Sequence, residues 1–281
     1  PQPAHRAHQR WRGHPHPSQC ELLCQLDTNQ LSGNQRGGRV GRQFENQGLS
    51  INEGIAVDAR LVKSASHPIS NDKIKQARDK HNTPKGKLDI NGKPLKFHRD
   101  LDSDWVVQKD TPHYGLKEHA SVDTNHGFVL ATTMTPASVN DTNYLQYCTA
   151  FSRHTKQKIQ KVFADKGYAG KPNRDFLSLN KIADGIMRKD STTAKLTDYE
   201  INRNKKISKV RYIVEQYFGI SHLKDNAQRA RFPQIEKNRF DGWYRQAAYN
   251  IQKGLKILKL ATCRWIGAPG SQFPGWAPEN R

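Results

Sequence analysis

The chain has 281 residues, of which 46 are Lys or Arg and 26 are Asp or Glu, so its formal net charge is +20. A soluble chain with so positive a field is expected to bind a polyanion, and nucleic acid is the usual one. A membrane-spanning helix is excluded, because no apolar run approaches the roughly 18 residues needed to cross a bilayer. Four widely scattered cysteines fit a reduced cytosol, so we expect a cytoplasmic protein.

The two ends of the chain differ from its middle. Residues 1–50 contain six Arg and no Lys, whereas the remainder contains 26 Lys and 14 Arg. Two interpretations of this start remain open: a disordered basic arm that attracts DNA, and an out-of-frame remnant joined to a coding region near Arg42. We predict a disordered or out-of-frame segment over 1–42, a folded domain over 43–261, and a disordered tail, rich in Pro and Gly, over 262–281.

The first half of the folded part is predicted to contain more strand than helix. An apolar run over 54–62 predicts a strand. Residues 67–99 are polar, Lys-rich and interrupted by three prolines, which predicts an exposed loop. Residues 113–123 and 128–135 alternate in the β manner on either side of a polar turn, so we expect a hairpin. A helix is then expected over 141–154, with Ser138 or Asn140 as its N-cap.

The second half alternates strand and helix. Short strands are expected over 161–164 and 185–188, with a helix over 174–180 between them. Thr197 and Glu200 form a capping-box pattern that opens a long helix through Tyr217. The last helix is expected over 235–260, and its inner face is predicted from helical spacing to consist of Ala247, Ala248, Ile251, Leu255 and Leu258. Periodicity alone supports only a mixed α/β fold.

Three acidic residues are candidates for metal ligation. Asp58 follows the apolar run Gly54–Val57, Asp165 follows Lys161–Ala164, and Glu215 lies on the long predicted helix. Carboxylates on strands that face a cleft are the hard oxygen ligands that a two-metal phosphoryl-transfer enzyme needs. A single Asp after an apolar run is common, and alone it would be read as a solvated strand-end carboxylate.

Five phrases carry a resemblance to a known family. In order they are Val57–Leu61 (VDARL), Tyr114–Asp123 (YGLKEHASVD), Ala137–Asp141 (ASVND), Asp165–Tyr168 (DKGY) and Arg211–Gly219 (RYIVEQYFG). Together they resemble the DDE-type transposases of bacterial insertion sequences, in the group of the insertion-sequence-four and -five families. The resemblance covers residues 43 to about 260. It implies an α/β, ribonuclease H-like fold, in which a mixed sheet has flanking helices.

The resemblance also implies a site. Asp58, Asp165 and Glu215 would be the catalytic residues and would hold two Mg²⁺ ions, which Mn²⁺ can replace, with Asp58 bridging them. Arg211, one helical turn before Glu215, would orient that residue or touch a phosphate. The family's conserved Tyr and Lys around this Glu are replaced here by Ser208 and His222. The predicted DNA-binding residues are Lys117, Tyr168, Arg211 and Lys224, and further phosphate contacts are expected from Lys73, Lys75, Lys85 and Lys87 in the predicted loop.

The expected activity is metal-dependent cleavage and strand transfer at the ends of a mobile element, by a truncated copy of the enzyme. The expected partners are the element's terminal inverted repeats, target DNA in the bacterial nucleoid, and a second copy of the chain in a synaptic complex. Two rivals remain: a catalytically inactive or repurposed DNA-binding protein, and a basic RNA-binding protein without enzymatic activity.

Overall fold

A single mixed sheet forms the centre of the protein. The computed structural model describes residues 46, 54–68, 70–81, 100–152, 159–191 and 194–266, without the side chains of 71, 74, 80, 81 and 259–266. The six strands are β1 (Gly54–Lys63), β2 (Asp104–Gln108), β3 (Thr111–Asp123), β4 (Val129–Pro136), β5 (Lys161–Ala164) and β6 (Ala183–Ile186). β3 pairs antiparallel with β1, β2 and β4, whereas β5 and β6 run parallel to β1. The strands follow the order β2-β3-β1-β5-β6, and β4 pairs with β3 off this path. This is the predicted ribonuclease H-like sheet.

Helices flank both faces of the sheet. They are α1 (Asn71–His81), α2 (Leu145–Phe151), α3 (Lys171–Leu179), α4 (Asp198–Asp225) and α5 (Ile235–Ile266). Alternation along β1 divides the core: Ile55 and Val57 pack into a cluster with residues of α2 and α3, and Ala56 packs into a second cluster with Val214 of α4. The even-numbered side chains of β1 therefore face α4.

The predicted hairpin is confirmed. β3 and β4 pair in antiparallel register, and the turn between them is closed by Asp123, whose Oδ2 accepts a hydrogen bond from the His126 amide at 2.6 Å. Gly127 has φ +73°, a conformation that side chains with a Cβ rarely adopt. A second hairpin, between β2 and β3, was not predicted. Its turn residues Lys109 and Asp110 both have positive φ, although neither is Gly or Asn.

The predicted loop over 67–99 contains a helix, which corrects that prediction. α1 occupies Asn71–His81, and Arg78 fixes it to the following segment by donating to the carbonyls of Leu101 and Ser103 at 2.8 and 2.9 Å. Lys73 and Lys75 are exposed on this helix. Residues 82–99, with Lys85 and Lys87, lie outside the described residues.

The capping box that opens α4 is confirmed. The Glu200 amide donates to Thr197 Oγ1 at 3.3 Å, and the Thr197 amide donates to Glu200 Oε2 at 3.1 Å. The two bonds satisfy amides that have no partner within the helix. α4 then continues without a break to Asp225, so it carries Arg211 and Glu215 on adjacent turns.

The predicted inner face of α5 is wrong. Ile251 and Leu255 are 47% and 52% exposed, while Gln246 and Asn250 are buried. Gln246 Nε2 donates to the Val129 carbonyl at 3.0 Å, and Asn250 both accepts from the Val129 amide at 2.8 Å and donates to its carbonyl at 2.7 Å. The helix therefore turns amide side chains inward because it covers backbone groups of β4, which among the described strands pairs with β3 alone.

The ends of the chain leave two predictions open. α5 continues to Ile266, beyond its predicted end at Leu260. Residues 1–45 and 267–281 lie outside the described residues, so the proposed domain boundaries remain predictions. Among the described helices, none is long and apolar enough to cross a membrane.

Candidate active site

The register of two parallel strands places Asp58 and Asp165 side by side. Val57 of β1 is paired with Ala164 of β5, and this is the last pair of their ladder. Asp58 and Asp165 are the next residue on each strand, so they stand at the same level of the sheet. Both face α4, because side chains alternate along each strand and the buried Val57 and Ala164 point to the opposite cluster. Two residues far apart in sequence thus lie side by side at the same end of the β1–β5 ladder.

Local hydrogen bonds orient each carboxylate. Asp58 Oδ1 accepts from the Ala59 amide at 2.9 Å, and its side chain is 18% exposed. Asp165 caps a short 3₁₀ turn, Lys166–Tyr168, by accepting from the Lys166 amide at 2.7 Å, and its side chain is 40% exposed. Beside it, a Cβ built on Gly167 would meet nothing within 4 Å. The pair is therefore open to solvent mainly on the side of Asp165.

Arg211 of α4 joins the two carboxylates. Its Nη2 lies 2.5 Å from Asp58 Oδ2 and its Nη1 lies 3.7 Å from Asp165 Oδ1. Burial raises the pKa of Asp58 above its ordinary value, and the nearby Asp165 adds to the rise, although the Arg211 guanidinium and the Ala59 amide oppose it. The arrangement is a pair of carboxylates on one cation.

Glu215 is the third predicted ligand. It is exposed and lies one turn beyond Arg211 on α4. Among the described residues, no three side chains of His, Cys, Asp or Glu are close enough together to hold a metal ion. The structure therefore brings together two of the three predicted carboxylates, and Glu215 is not a third member of that group in this conformation.

Comparisons with known proteins identify the family of the chain. A family model described as "Transposase DDE domain" matches residues 51–251. The transposase for insertion sequence element IS1106 of Neisseria meningitidis serogroup B is 30% identical over 234 residues, which are 83% of this chain and 73% of that protein. The chain belongs to the DDE transposase family.

Solved transposase structures are more distant. The synaptic complex of piggyBac transposase with hairpin DNA is 9% identical with a TM-score of 0.39, and the match covers 82% of this chain and 60% of that chain. The Mos1 mariner paired end complex with Mn is 9% identical with a TM-score of 0.26, covering 89% of this chain and 67% of that one. The present DDE domain thus spans about three fifths of the length of the piggyBac chain.

Lys117 of this DDE domain has an internal partner. Its Nζ lies 2.7 Å from Asp141 Oδ1 and donates to the Val139 carbonyl at 2.7 Å, and its side chain is 12% exposed. It is paired with Leu61, so it projects from the face of the sheet opposite to Asp58. This location corrects the expectation of a phosphate contact beside the active site: the ammonium holds the start of the 141–151 segment on β3.

Tyr168 is buried rather than presented to substrate. It is 1% exposed and belongs to the core cluster that contains Val162 and Leu177. A Cβ built on the neighbouring Gly170 would meet Pro172 and Thr142 at 3.7 and 3.8 Å. A direct contact between the Tyr168 ring and DNA is therefore excluded in this conformation.

The helical phase of α4 separates Lys224 from Glu215. Nine residues correspond to about two and a half turns, so Lys224 lies on the opposite side of the helix. His222, seven residues or about two turns from Glu215, shares its side. Both side chains are exposed. His222 therefore lies on the side of α4 where the family has its Lys, and Lys224 projects from a different side of the helix.

A buried ionic cluster beneath α4 was not predicted. Glu118 of β3 is 0% exposed, and its Oε2 accepts from Arg60 Nε at 2.8 Å while its Oε1 accepts from Tyr217 Oη at 3.2 Å. Arg245 Nη2 of α5 lies 4.0 Å from Glu118 Oε1, and Arg60 also donates to the Phe218 carbonyl at 3.0 Å. The sequence signal for it is a charged residue, Glu118, within a strand whose neighbouring residues are mostly buried. The cluster ties both long helices to the strands that carry the site.

Proposed function

We propose that this DDE domain cleaves DNA strands and joins them to target DNA with the help of divalent metal ions. The observation that carries the proposal is the placement of Asp58 and Asp165 at one level of the sheet, on one face, around one positive charge. Two such carboxylates are what an enzyme of this type needs to hold a metal at a phosphodiester.

The oxygen donors of the aspartate pair fit a hard cation. Asp58 Oδ2 and Asp165 Oδ1 are oxygen donors, the type that Mg²⁺ and Mn²⁺ prefer, and both already surround a cation, the Arg211 guanidinium. We propose that Asp58 and Asp165 would hold the divalent ions, with Glu215 as the third ligand. When bound, the ions supply charge neutralisation and an activated nucleophile. Asp58 and Asp165 would orient the ions, and the pairing of β1 with β5 fixes the spacing of these two carboxylates.

DNA is the proposed substrate and partner. The chain carries a net charge of +20, and basic side chains are exposed on α1 and α4, including Lys73, Lys75 and Lys224. We propose that the substrates are the element's terminal inverted repeats and target DNA within the bacterial nucleoid. Because two ends must be joined, a second copy of the chain is expected in the synaptic complex.

A second candidate is a catalytically inactive DNA-binding protein. The exposed Glu215, apart from the aspartate pair, and the replacement of the family's Tyr and Lys by Ser208 and His222 favour it. Both candidates predict DNA binding. The second predicts that no metal ion supports cleavage.

Nicking of a supercoiled plasmid tests the two. We expect the purified chain to nick in Mg²⁺ or Mn²⁺ and to be inactive in EDTA. Asp58→Asn and Asp165→Asn should each reduce nicking by more than about 100-fold. Loss of a residue that only hydrogen-bonds to a metal ligand typically costs roughly 10- to 100-fold. Asp175→Asn, which removes an exposed carboxylate from α3, is the matched control and should nick normally. Nicking that survives both active-site substitutions would exclude this site, and absence of nicking in the parent with every metal would favour the second candidate.

A further inference from the structure

Arg211 lies where the two acidic side chains meet, and it reaches them from a buried position. The residue is 8% exposed, and its two terminal nitrogens contact Asp58 and Asp165 at 2.5 and 3.7 Å. Its remaining nitrogen, Nε, is buried and has no hydrogen-bond partner among the described residues. The carboxylates are therefore the groups that hold the guanidinium in place.

The guanidinium takes an oxygen that a metal would need. Asp58 Oδ1 already accepts from the Ala59 amide, so Oδ2 is the oxygen that faces outward from the strand backbone, and Arg211 Nη2 binds it. On Asp165, the oxygen nearest to Arg211 is Oδ1, which also accepts from the Lys166 amide. A cation that binds both aspartates has to compete for these lone pairs or share them with a positive charge a few ångströms away, which is repulsive.

We propose that Arg211 is an internal competitor for the metal site: its guanidinium occupies the position between Asp58 and Asp165 and has to leave Asp58 before a divalent ion can bind both. This inference rests on the proposed function, since it assumes that the two aspartates are metal ligands. Arg211 is thus a positioning residue. It keeps two like charges together in the absence of metal and lowers the affinity of the DNA-free protein for the ion.

If Arg211 competes with the metal, removing it should change Mn²⁺ affinity in the opposite direction from removing a residue that supports the ligands. Removing a residue that only orients the ligands would weaken metal binding, as loss of such groups commonly does. Removing a competitor strengthens it, because the two carboxylates are left without a counter-charge. Arg211→Gln should therefore bind Mn²⁺ at least about tenfold more tightly than the parent, given the size of charge interactions at this distance. Arg211→Lys, which keeps the charge on a shorter reach with fewer donors, should lie between the two.

The matched control is Arg203→Gln. Arg203 is also on α4, two turns before Arg211, and it pairs with the Asp184 carboxylate at 3.8 Å and with the carbonyls of Asp184 and Ile186 at 2.8 Å. Its loss removes the same charge from the same helix without touching the aspartate pair. We expect its Mn²⁺ affinity to match that of the parent, which would show that the effect at Arg211 is local.

The experiment is calorimetric titration of the DNA-free chain with Mn²⁺ at one fixed pH and salt concentration, with thermal unfolding in EDTA and in Mn²⁺ as a second measurement. Tighter binding by Arg211→Gln, together with a larger rise in melting temperature on adding Mn²⁺ than the parent shows, supports the proposal. Unchanged or weaker binding by both Arg211 variants overturns it. If Arg211→Gln does not fold in EDTA, the affinity of Arg211→Lys decides.

Asp58→Asn separates this inference from the proposed function. If Asp58→Asn abolishes Mn²⁺ binding but Arg211→Gln does not strengthen it, the metal site stands and the competition is wrong. If Asp58→Asn binds Mn²⁺ as the parent does, the metal site itself is wrong and the inference is overturned with it.

Discussion

Arg60 and Glu118 stand directly opposite each other on β1 and β3, and they form an ion pair with a nitrogen–oxygen distance of 2.5 Å inside the protein. The Glu118 side chain is 0% exposed and that of Arg60 is 15% exposed. A charge buried to this extent persists only when its partners are in place. The pair therefore fixes how α4, to which Arg60 and Glu118 also bond, sits on the sheet below the active site.

The first prediction concerns the stability of this cluster. Glu118→Ala should lower the free energy of unfolding by about 3–5 kcal/mol, because it leaves the Arg60 guanidinium without its ion-pair partner and leaves the buried Arg245 with Asp241 alone among the described residues. Urea denaturation followed by circular dichroism measures the loss. Replacing both partners, as in Arg60→Met with Glu118→Leu, should cost clearly less than Glu118→Ala alone. Equal losses would mean that the cluster is held by something other than charge pairing.

The second prediction concerns acid sensitivity through His119. Burial, and to a smaller extent the Lys117 ammonium, lower the pKa of this His from 6.5 to about 3. One ring nitrogen bonds Thr135 Oγ1 at 3.0 Å, and the other is buried with no hydrogen-bond partner among the described residues. As pH falls below 6.5, the unfolded chain takes up a proton that the folded protein refuses down to about pH 3. The folded state should lose about 1.4 kcal/mol of stability per pH unit over that window from this residue. His119→Gln removes this slope, and unfolding curves for both proteins between pH 7 and pH 4 measure the difference. Parallel pH profiles would contradict the assignment.

The third prediction tests the reversed face of α5. Asn250→Ala should lower the free energy of unfolding by about 1–3 kcal/mol, because it leaves the buried Val129 amide without its side-chain acceptor and removes one of the two donors to the Val129 carbonyl. Leu255→Ala, one and a half turns further along, should change stability by less than about 0.5 kcal/mol, since Leu255 is 52% exposed. Chemical denaturation of the two variants side by side makes the comparison. The opposite ranking would show that the apolar face is the inner one.

The fourth prediction separates DNA binding from cleavage. Asp165→Asn should abolish plasmid nicking yet keep or strengthen DNA binding, because it removes a negative charge at the position proposed for the scissile phosphate. Fluorescence anisotropy with a labelled duplex measures the affinity, and Asp175→Asn serves as a control for loss of a distant acidic charge. Loss of binding by a folded Asp165→Asn protein would contradict the proposed location of the phosphate.

The fifth prediction uses salt to distinguish exposed from internal lysines. Each phosphate contact adds roughly 0.9 to the slope of log K against log salt, so replacing the exposed Lys73 and Lys75 together by Ala should reduce the slope by up to about 1.8. Binding should weaken by similar amounts on unrelated DNA sequences, since phosphate contacts do not read bases. Lys117→Ala should leave the slope unchanged and lower stability instead, because its ammonium binds Asp141 and Val139. A reduced slope for Lys117→Ala would restore it as a DNA contact.

Local signals account for what the sequence predicted correctly. The capping box of Thr197 and Glu200, the turn at Asp123 and the apolar run before Asp165 all depend on residues within a few positions of one another. The register that aligns Asp58 with Asp165 is not local, but it follows once both apolar runs are taken as neighbouring parallel strands.

Tertiary partners account for what was missed. α1 is polar on nearly all sides, so no periodicity marks it, and the turn at Lys109 and Asp110 lacks the Gly or Asn expected for positive φ. The inner face of α5 was assigned by hydrophobicity, whereas its partner is the backbone of β4 at Val129. Nothing in the spacing of Arg211 shows that it would contact two aspartates on different strands.

The late position of α5 in the sequence leaves part of β4 without its covering side chains during synthesis. Val129 and its partner Asn250 are 121 residues apart. At about 5–20 residues per second, a ribosome needs roughly 6–24 s to deliver the second after the first. Throughout that interval the outer backbone groups of β4 lack the side chains that cover them, and an uncovered strand edge is a template for pairing with another nascent chain. The helix at the far end of the fold is therefore also what ends this period of exposure.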